Sequence, residues 1–92
     1  MTEPLDPTES LIEYPSDFPI KVMGLAHEQF VPTMIEVVVV HDPEFHEGRI
    51  EQRPSSAGNY VSLTITVRAT SREQLDNLYR ALSSHPMVKY VL

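Results

Sequence analysis

Tyr60-Val61-Ser62-Leu63-Thr64-Ile65-Thr66-Val67-Arg68 alternates apolar and polar residues without a break. Successive side chains of a strand point to opposite faces. Val61, Leu63, Ile65 and Val67 therefore share one face, and Tyr60, Ser62, Thr64, Thr66 and Arg68 share the other. Such alternation describes a strand buried on one side and wet on the other, which is the habit of antiparallel sheets covered on one face only.

Working outward, Pro54-Ser55-Ser56-Ala57-Gly58-Asn59 is dense turn chemistry. Arg49–Arg53 before it fits a short edge strand, which Pro54 would end because proline has no N–H for a ladder. After the long strand, Thr70-Ser71-Arg72-Glu73 reads as a capping box, with Thr70 as cap and Glu73 bonding back. Leu75, Leu78, Tyr79 and Leu82 then mark one helical face, and Ser83-Ser84-His85-Pro86 stops it. Met87–Leu92 makes a last strand.

In the N-terminal half, Phe18, Ile20 and Val22 alternate with Lys21 and Met23 as a strand that ends at Gly24, where the chain is expected to turn sharply. From His27 to His41 the period becomes helical, through Phe30, Met34, Val37 and His41 with Val31, Ile35 and Val38 beside them. The run Val37–Val40 favours strand locally, since β-branched residues do. The length of the pattern and Pro32 near its start favour helix, and Asp42-Pro43 closes it. The order strand, helix, strand, strand, helix, strand gives an α+β ferredoxin-like βαββαβ sandwich, a four-stranded antiparallel sheet with two helices on one face.

Ninety-two residues suit one domain with one modest core. Residues 1–13, with Pro4, Pro7 and several acids, read as a mostly disordered arm, and residues 14–92 as the single domain. Without cysteine there is no disulfide, zinc-thiolate or thiol chemistry. The absence of a long apolar run or leader-like start points away from membranes and toward the cytoplasm. The net charge of −6 is concentrated in Glu3, Asp6, Glu9, Glu13 and Asp17, which leaves the rest near neutral. Tracking a phosphate backbone needs clustered cations, so nucleic acid is disfavoured as a partner.

Lys21-Val22-Met23-Gly24, the turn Pro54–Tyr60 and the final Val91-Leu92 resemble the YbeD-like family of small bacterial proteins, over about Leu11–Leu92. The resemblance implies a ferredoxin-like fold similar to ACT-type regulatory domains, which bind amino acids and control metabolic enzymes. It also carries an association with lipoate metabolism. Ala57 stands where the family commonly has lysine, and Val39 and Val40 stand where its members tend to be polar.

Two loops are the candidate ligand sites. Gly24, Leu25 and His27 lie where ACT-like domains contact an effector, and an introduced carboxylate (Gly24→Asp) is expected to abolish binding without unfolding. Ser55, Ser56, Gly58, Asn59 and Tyr60 offer hydroxyls, an amide and backbone able to cradle a small carboxylate or amino-acid-like ligand. The same residues are what a tight turn requires. A protein partner would instead use Lys21, Arg68 and Lys89 on the open sheet face, or the apolar edge Val39 and Val40. That face lacks the central aromatics that stack RNA bases. His41 and His46 match no metal-ligand spacing, and no cofactor or catalytic motif is present. The sequence thus points to a non-enzyme: a regulatory module that senses a metabolite and self-associates through a sheet edge or the first helix, or an adaptor with no small ligand.

Overall fold

The structure, a computed structural model, describes residues 13–92. The arm expected over 1–13, with Leu11 and Ile12, lies almost wholly outside the described residues. Strand β1 (Ser16–Leu25) leads to helix α1 (Phe30–His41), a short 3-10 turn (Glu47–Arg49), strands β2 (Ile50–Pro54) and β3 (Tyr60–Ala69), helix α2 (Arg72–Ser83) and strand β4 (Val88–Val91). One sheet holds them in the order β2-β3-β1-β4, every neighbouring pair antiparallel. This is the ferredoxin-like βαββαβ arrangement.

The ladder between β1 and β3 runs from Ser16↔Ala69 to Leu25↔Tyr60 without a register shift. It places Ile20 and Val22 beside Val61, Leu63, Ile65, Val67 and Ala69 on one buried face. Phe30, Met34 and Val38 of α1 and Leu75, Leu78 and Leu82 of α2 complete the same core, so both helices cover that face. The apolar transfer driving this burial is about 1.5–3 kcal/mol for each large side chain.

Three local expectations are corrected. Strand β1 continues through Gly24 to Leu25 and does not turn there. Gly24 is buried, and a Cβ on it would collide with the Phe30 ring and the Met87 carbonyl, so the glycine is required by packing and not by a bend. The pairing of β1 with β4 also shifts register between Met23 and Gly24. Second, the cap of α2 falls one residue later than expected. β3 stays extended through Ala69, Ser71 Oγ accepts from the Gln74 N–H at 3.1 Å, and Gln74 Oε1 accepts from the Thr70 N–H at 2.6 Å. Third, α1 starts at Phe30, with Pro32 in its first turn where a missing N–H is harmless. Pro19 is tolerated inside β1 because β4 reaches only Val22–Gly24, leaving β1 with one neighbour at that point.

Candidate functional site

The two loops singled out in the sequence meet at one end of the sheet. Leu25 pairs with Tyr60, and the Ala26 N–H donates to the Asn59 carbonyl at 3.1 Å. Inside the turn, the Ser55 N–H donates to the Tyr60 carbonyl at 2.9 Å and Ser55 Oγ accepts from the Tyr60 N–H at 3.3 Å. Gly58 has φ +80°, the left-handed region that favours glycine. Ser55 and Gly58 are therefore committed to the turn itself, while Ser56, Gly58 and Asn59 are exposed.

Beside this turn, Leu25, Tyr60, Pro86, Met87, Val88 and Lys89 line a shallow hollow of ≈ 260 Å³. Lys89 Nζ lies 5.4 Å from the centroid of the Tyr60 ring, a cation–π arrangement. Leu25, Tyr60 and Lys89 are thus brought together from residues that the sequence assigned to different sites. His27 is not part of this group: its Nδ1 accepts from the Gln29 N–H at 3.0 Å and helps start α1. Gly24 lies underneath, closed off by Phe30. The expected outcome of Gly24→Asp changes accordingly, because a side chain there disrupts the packing before it meets any ligand.

The cations of the open face do not form one patch. Arg68 lies 3.8 Å from Asp17, which Arg49 holds at 2.8 Å, at the end of β1 remote from Lys89. Between them Lys21, Glu51, Arg53, Ser62 and Thr64 line a hollow of ≈ 190 Å³ that mixes both signs of charge.

Asp42, which the sequence supplied only as a helix stop, is buried at 4% exposure. Its Oδ2 accepts from the Arg68 N–H at 2.9 Å and its Oδ1 from the Glu44 N–H at 3.3 Å. Gln74 Nε2 donates to the carbonyls of His41, at 2.8 Å, and Arg68, at 3.1 Å. Together they clasp the end of α1 to β3 and to the start of α2. A buried carboxylate with both oxygens engaged by backbone donors is accounted for structurally. The neighbouring hollow of ≈ 380 Å³, lined by Asp42 and Gln74 together with Pro15, Pro43 and Thr70, belongs to that clasp.

The remaining feature is the flank of α1. Phe30, Met34 and Val38 point inward, yet Val31, Ile35, Val37 and Val39 are only half-buried and Val40 is 76% exposed. Val31 and Ile35 floor a groove of ≈ 460 Å³ between α1, the 3-10 turn and β2, with Pro32 exposed at its edge. Glu28 and Glu47 stand at its rim, with His27 and Gln52. The sequence placed Val31 and Ile35 beside the helical stripe but singled out only Val39 and Val40 as an apolar edge. The signal was present as an i, i+4 apolar pair lying outside the Phe30–Met34–Val38 stripe.

Among the described residues, no group of three or more His, Asp or Glu side chains is placed to hold a metal ion. No described helix is long and apolar enough to cross a membrane.

Residues 9–92 match the family described as "Protein of unknown function (DUF493)". A UPF0250 protein of Janthinobacterium sp. (strain Marseille) is 94% identical over 88 residues, covering 96% of this chain and 97% of that protein. A UPF0250 protein of Ralstonia nicotianae is 69% identical over 86 residues, covering 94% and 89%. One of Bordetella pertussis is 65% identical over 88 residues, covering 96% and 97%. The solution structure of protein HP0495 from H. pylori superposes with a TM-score of 0.73 at 15% identity, covering 98% of each chain, a likeness of fold alone.

Proposed function

We propose, from the premise that this chain belongs to the DUF493 family, the YbeD-like UPF0250 proteins, that it is a non-catalytic binding module whose working surface is the flank of α1. One observation carries the reading: Val40 is 76% exposed and Pro32 is exposed on the same side, so the outward side of α1 holds a single charge, Glu36, where a helix at a protein surface is ordinarily polar throughout. A helix with so few polar residues belongs against something, and the fold leaves Pro32, Glu36 and Val40 of this one exposed. The partner is another protein, the setting is the cytoplasm, and the role is regulatory or adaptor-like. The hollows of the described surface are shallow, which suits the capture of a protein better than the enclosure of a reacting substrate.

The test is a photoreactive amino acid placed in living cells at Val40 on α1 or at Asn77 on the exposed side of α2. Protein crosslinks from position 40 that are absent from position 77 support the reading. Equal yields from both positions, or none from 40, refute it.

A second reading keeps a small carboxylate or amino-acid-like ligand at the Leu25–Tyr60–Lys89 hollow, favoured by the ammonium held over the Tyr60 ring. Amide NMR titration with pooled amino acids, lipoate and small carboxylates tests it. Shifts confined to Leu25, Tyr60 and Lys89 favour this ligand, and an unperturbed spectrum removes it.

A further inference from the structure

We infer that the groove beside α1 takes a basic segment of a partner protein carrying two aliphatic or aromatic anchors. The inference rests on the reading of α1 as a binding surface and specifies what binds there. Val31 and Ile35 lie one helical turn apart on the groove floor, with Pro32 at its edge. Their separation is about 6 Å along the axis, the spacing of side chains four apart on a helix or two apart on a strand. Two such anchors on one segment would therefore rest side by side on this floor.

The charge around the groove is of one sign. Its lining holds Glu28 and Glu47 and no Lys or Arg, and α1 itself adds the exposed Glu36 and no Lys or Arg. Glu28 and Glu47 are exposed at the groove rim, and among the described residues no cation engages either. Arg49, next along the chain, is drawn away to Asp17 at 2.8 Å. An apolar floor with carboxylates at its margin selects Lys or Arg flanking apolar anchors, since complementary potential chooses the partner and speeds its encounter. The same charges disfavour the alternatives. A second copy presenting the same flank would set Glu28, Glu36 and Glu47 against themselves, and an anionic lipid surface would be repelled.

The experiment pans a phage-displayed library of random short peptides against the full chain and maps synthetic versions of the enriched peptides by amide NMR. The expected result is enrichment of Lys/Arg-rich peptides with paired apolar residues, shifting Val31, Ile35 and Gln52. Their affinity should fall as salt rises, and by about tenfold or more in the double variant Glu28→Lys/Glu47→Lys. Both glutamates are exposed, and an unchanged circular dichroism melt verifies that the variant folds. Peptides that map to α1 but are not basic, or that bind the double variant equally well, overturn the inference while leaving α1 as the binding surface. Enrichment that maps elsewhere, or no enrichment, overturns both. A dimer seen by sedimentation and abolished by Ile35→Glu makes a second copy the occupant and overturns the basic segment.

Discussion

Helices α1 and α2 each have twelve residues and cover the same sheet, yet they treat water in opposite ways. Leu75, Leu78 and Leu82 of α2 face the core, while Arg72, Glu73, Asp76, Asn77 and Arg80 are exposed. Its start is capped by Ser71. On α1 the inward stripe is equally apolar, but the outward side holds Pro32, Glu36 and Val40, with half-buried valines on both shoulders. Valine is a poor helix former, and of the four in succession at 37–40 the core uses Val38 and packs against Val37 and Val39, which leaves Val40 as the one that folding does not explain. On the proposed reading, the difference teaches which helix meets a partner: α2 completes its surface with polar residues, and α1 leaves part of its surface to be covered.

The comparison would break most visibly if α1 were simply a loosely held helix. Phe30 is fully buried and its ring fills the notch that Gly24 leaves in β1. A Phe→Ala truncation in a core costs about 3–5 kcal/mol and a Leu→Ala about 2–5. Phe30→Ala should fall near the upper end, because backbone lines its cavity and cannot collapse into it. Urea denaturation of Phe30→Ala beside Leu78→Ala measures this. A milder loss for Phe30→Ala would mean that α1 is poorly anchored, and its apolar exterior would then signify weak docking instead of a surface.

Gly24→Ala probes the same anchor from the strand side. The added methyl meets the Phe30 ring and the Met87 carbonyl, and such overpacking costs about 1–3 kcal/mol. Gly58→Ala is the control, since nothing lies near its missing Cβ and only the positive φ opposes it, at about 1–2 kcal/mol. Thermal melts should rank Gly24→Ala as the more damaging. The reverse order would detach Gly24 from the seating of α1.

The two glycines also show what the sequence made legible. Alternation over 60–68 and helical spacing over 27–41 and 72–82 were enough for the fold, because burial on one face imposes a period that survives local conflict. Even the Val37–Val40 run yielded to it, since Val38 is needed in the core. Gly58 was readable as turn chemistry. Gly24 was not, because its neighbours Phe30 and Met87 come from other elements, and a glycine needed for packing looks in sequence like a glycine needed for a bend. Asp42 was hidden for the same reason, its main donor being the backbone of Arg68, 26 residues away. Of the candidate sites, Leu25, Tyr60 and Lys89 do converge, whereas Lys21, Arg68 and Lys89 are spread along the sheet. The Val31–Ile35 groove takes its other wall from β2 and the 3-10 turn, which only the folded chain brings to α1.

A smaller effect separates the helix starts. Ser71→Ala removes a side-chain cap from α2 and should cost about 1 kcal/mol. The Gln29 N-cap of α1 makes no side-chain bond of its own, and His27 Nδ1 supplies one from outside in an exposed position. His27→Ala should therefore cost less, on the order of 0.5 kcal/mol, the low end for a hydrogen bond. Paired denaturant titrations check the order. An equal or larger loss for His27→Ala would show that α1 depends on its start as much as α2 does.

The sharpest version of the comparison has the smallest size. Val40 is 76% exposed, so replacing it removes little packing. Alanine is the better helix former, and its advantage over a β-branched residue is about 0.5 kcal/mol. Val40→Ala should therefore stabilise the protein slightly, by a rise in urea midpoint with unchanged slope, while lowering the crosslinking yield of a photoreactive residue at the neighbouring Glu36. On α2, Asp76→Ala should raise stability through the same propensity and leave crosslinking untouched. If Val40→Ala instead destabilises, the side chain is already packed in the unbound protein and α1 is not waiting to be covered. If it stabilises and binding is retained, the exposed valine has no use at that position, and the binding surface contracts to the Val31–Ile35 groove. A gain in stability with a loss in binding is the combination that neither a purely structural helix nor a purely accidental apolar patch would give.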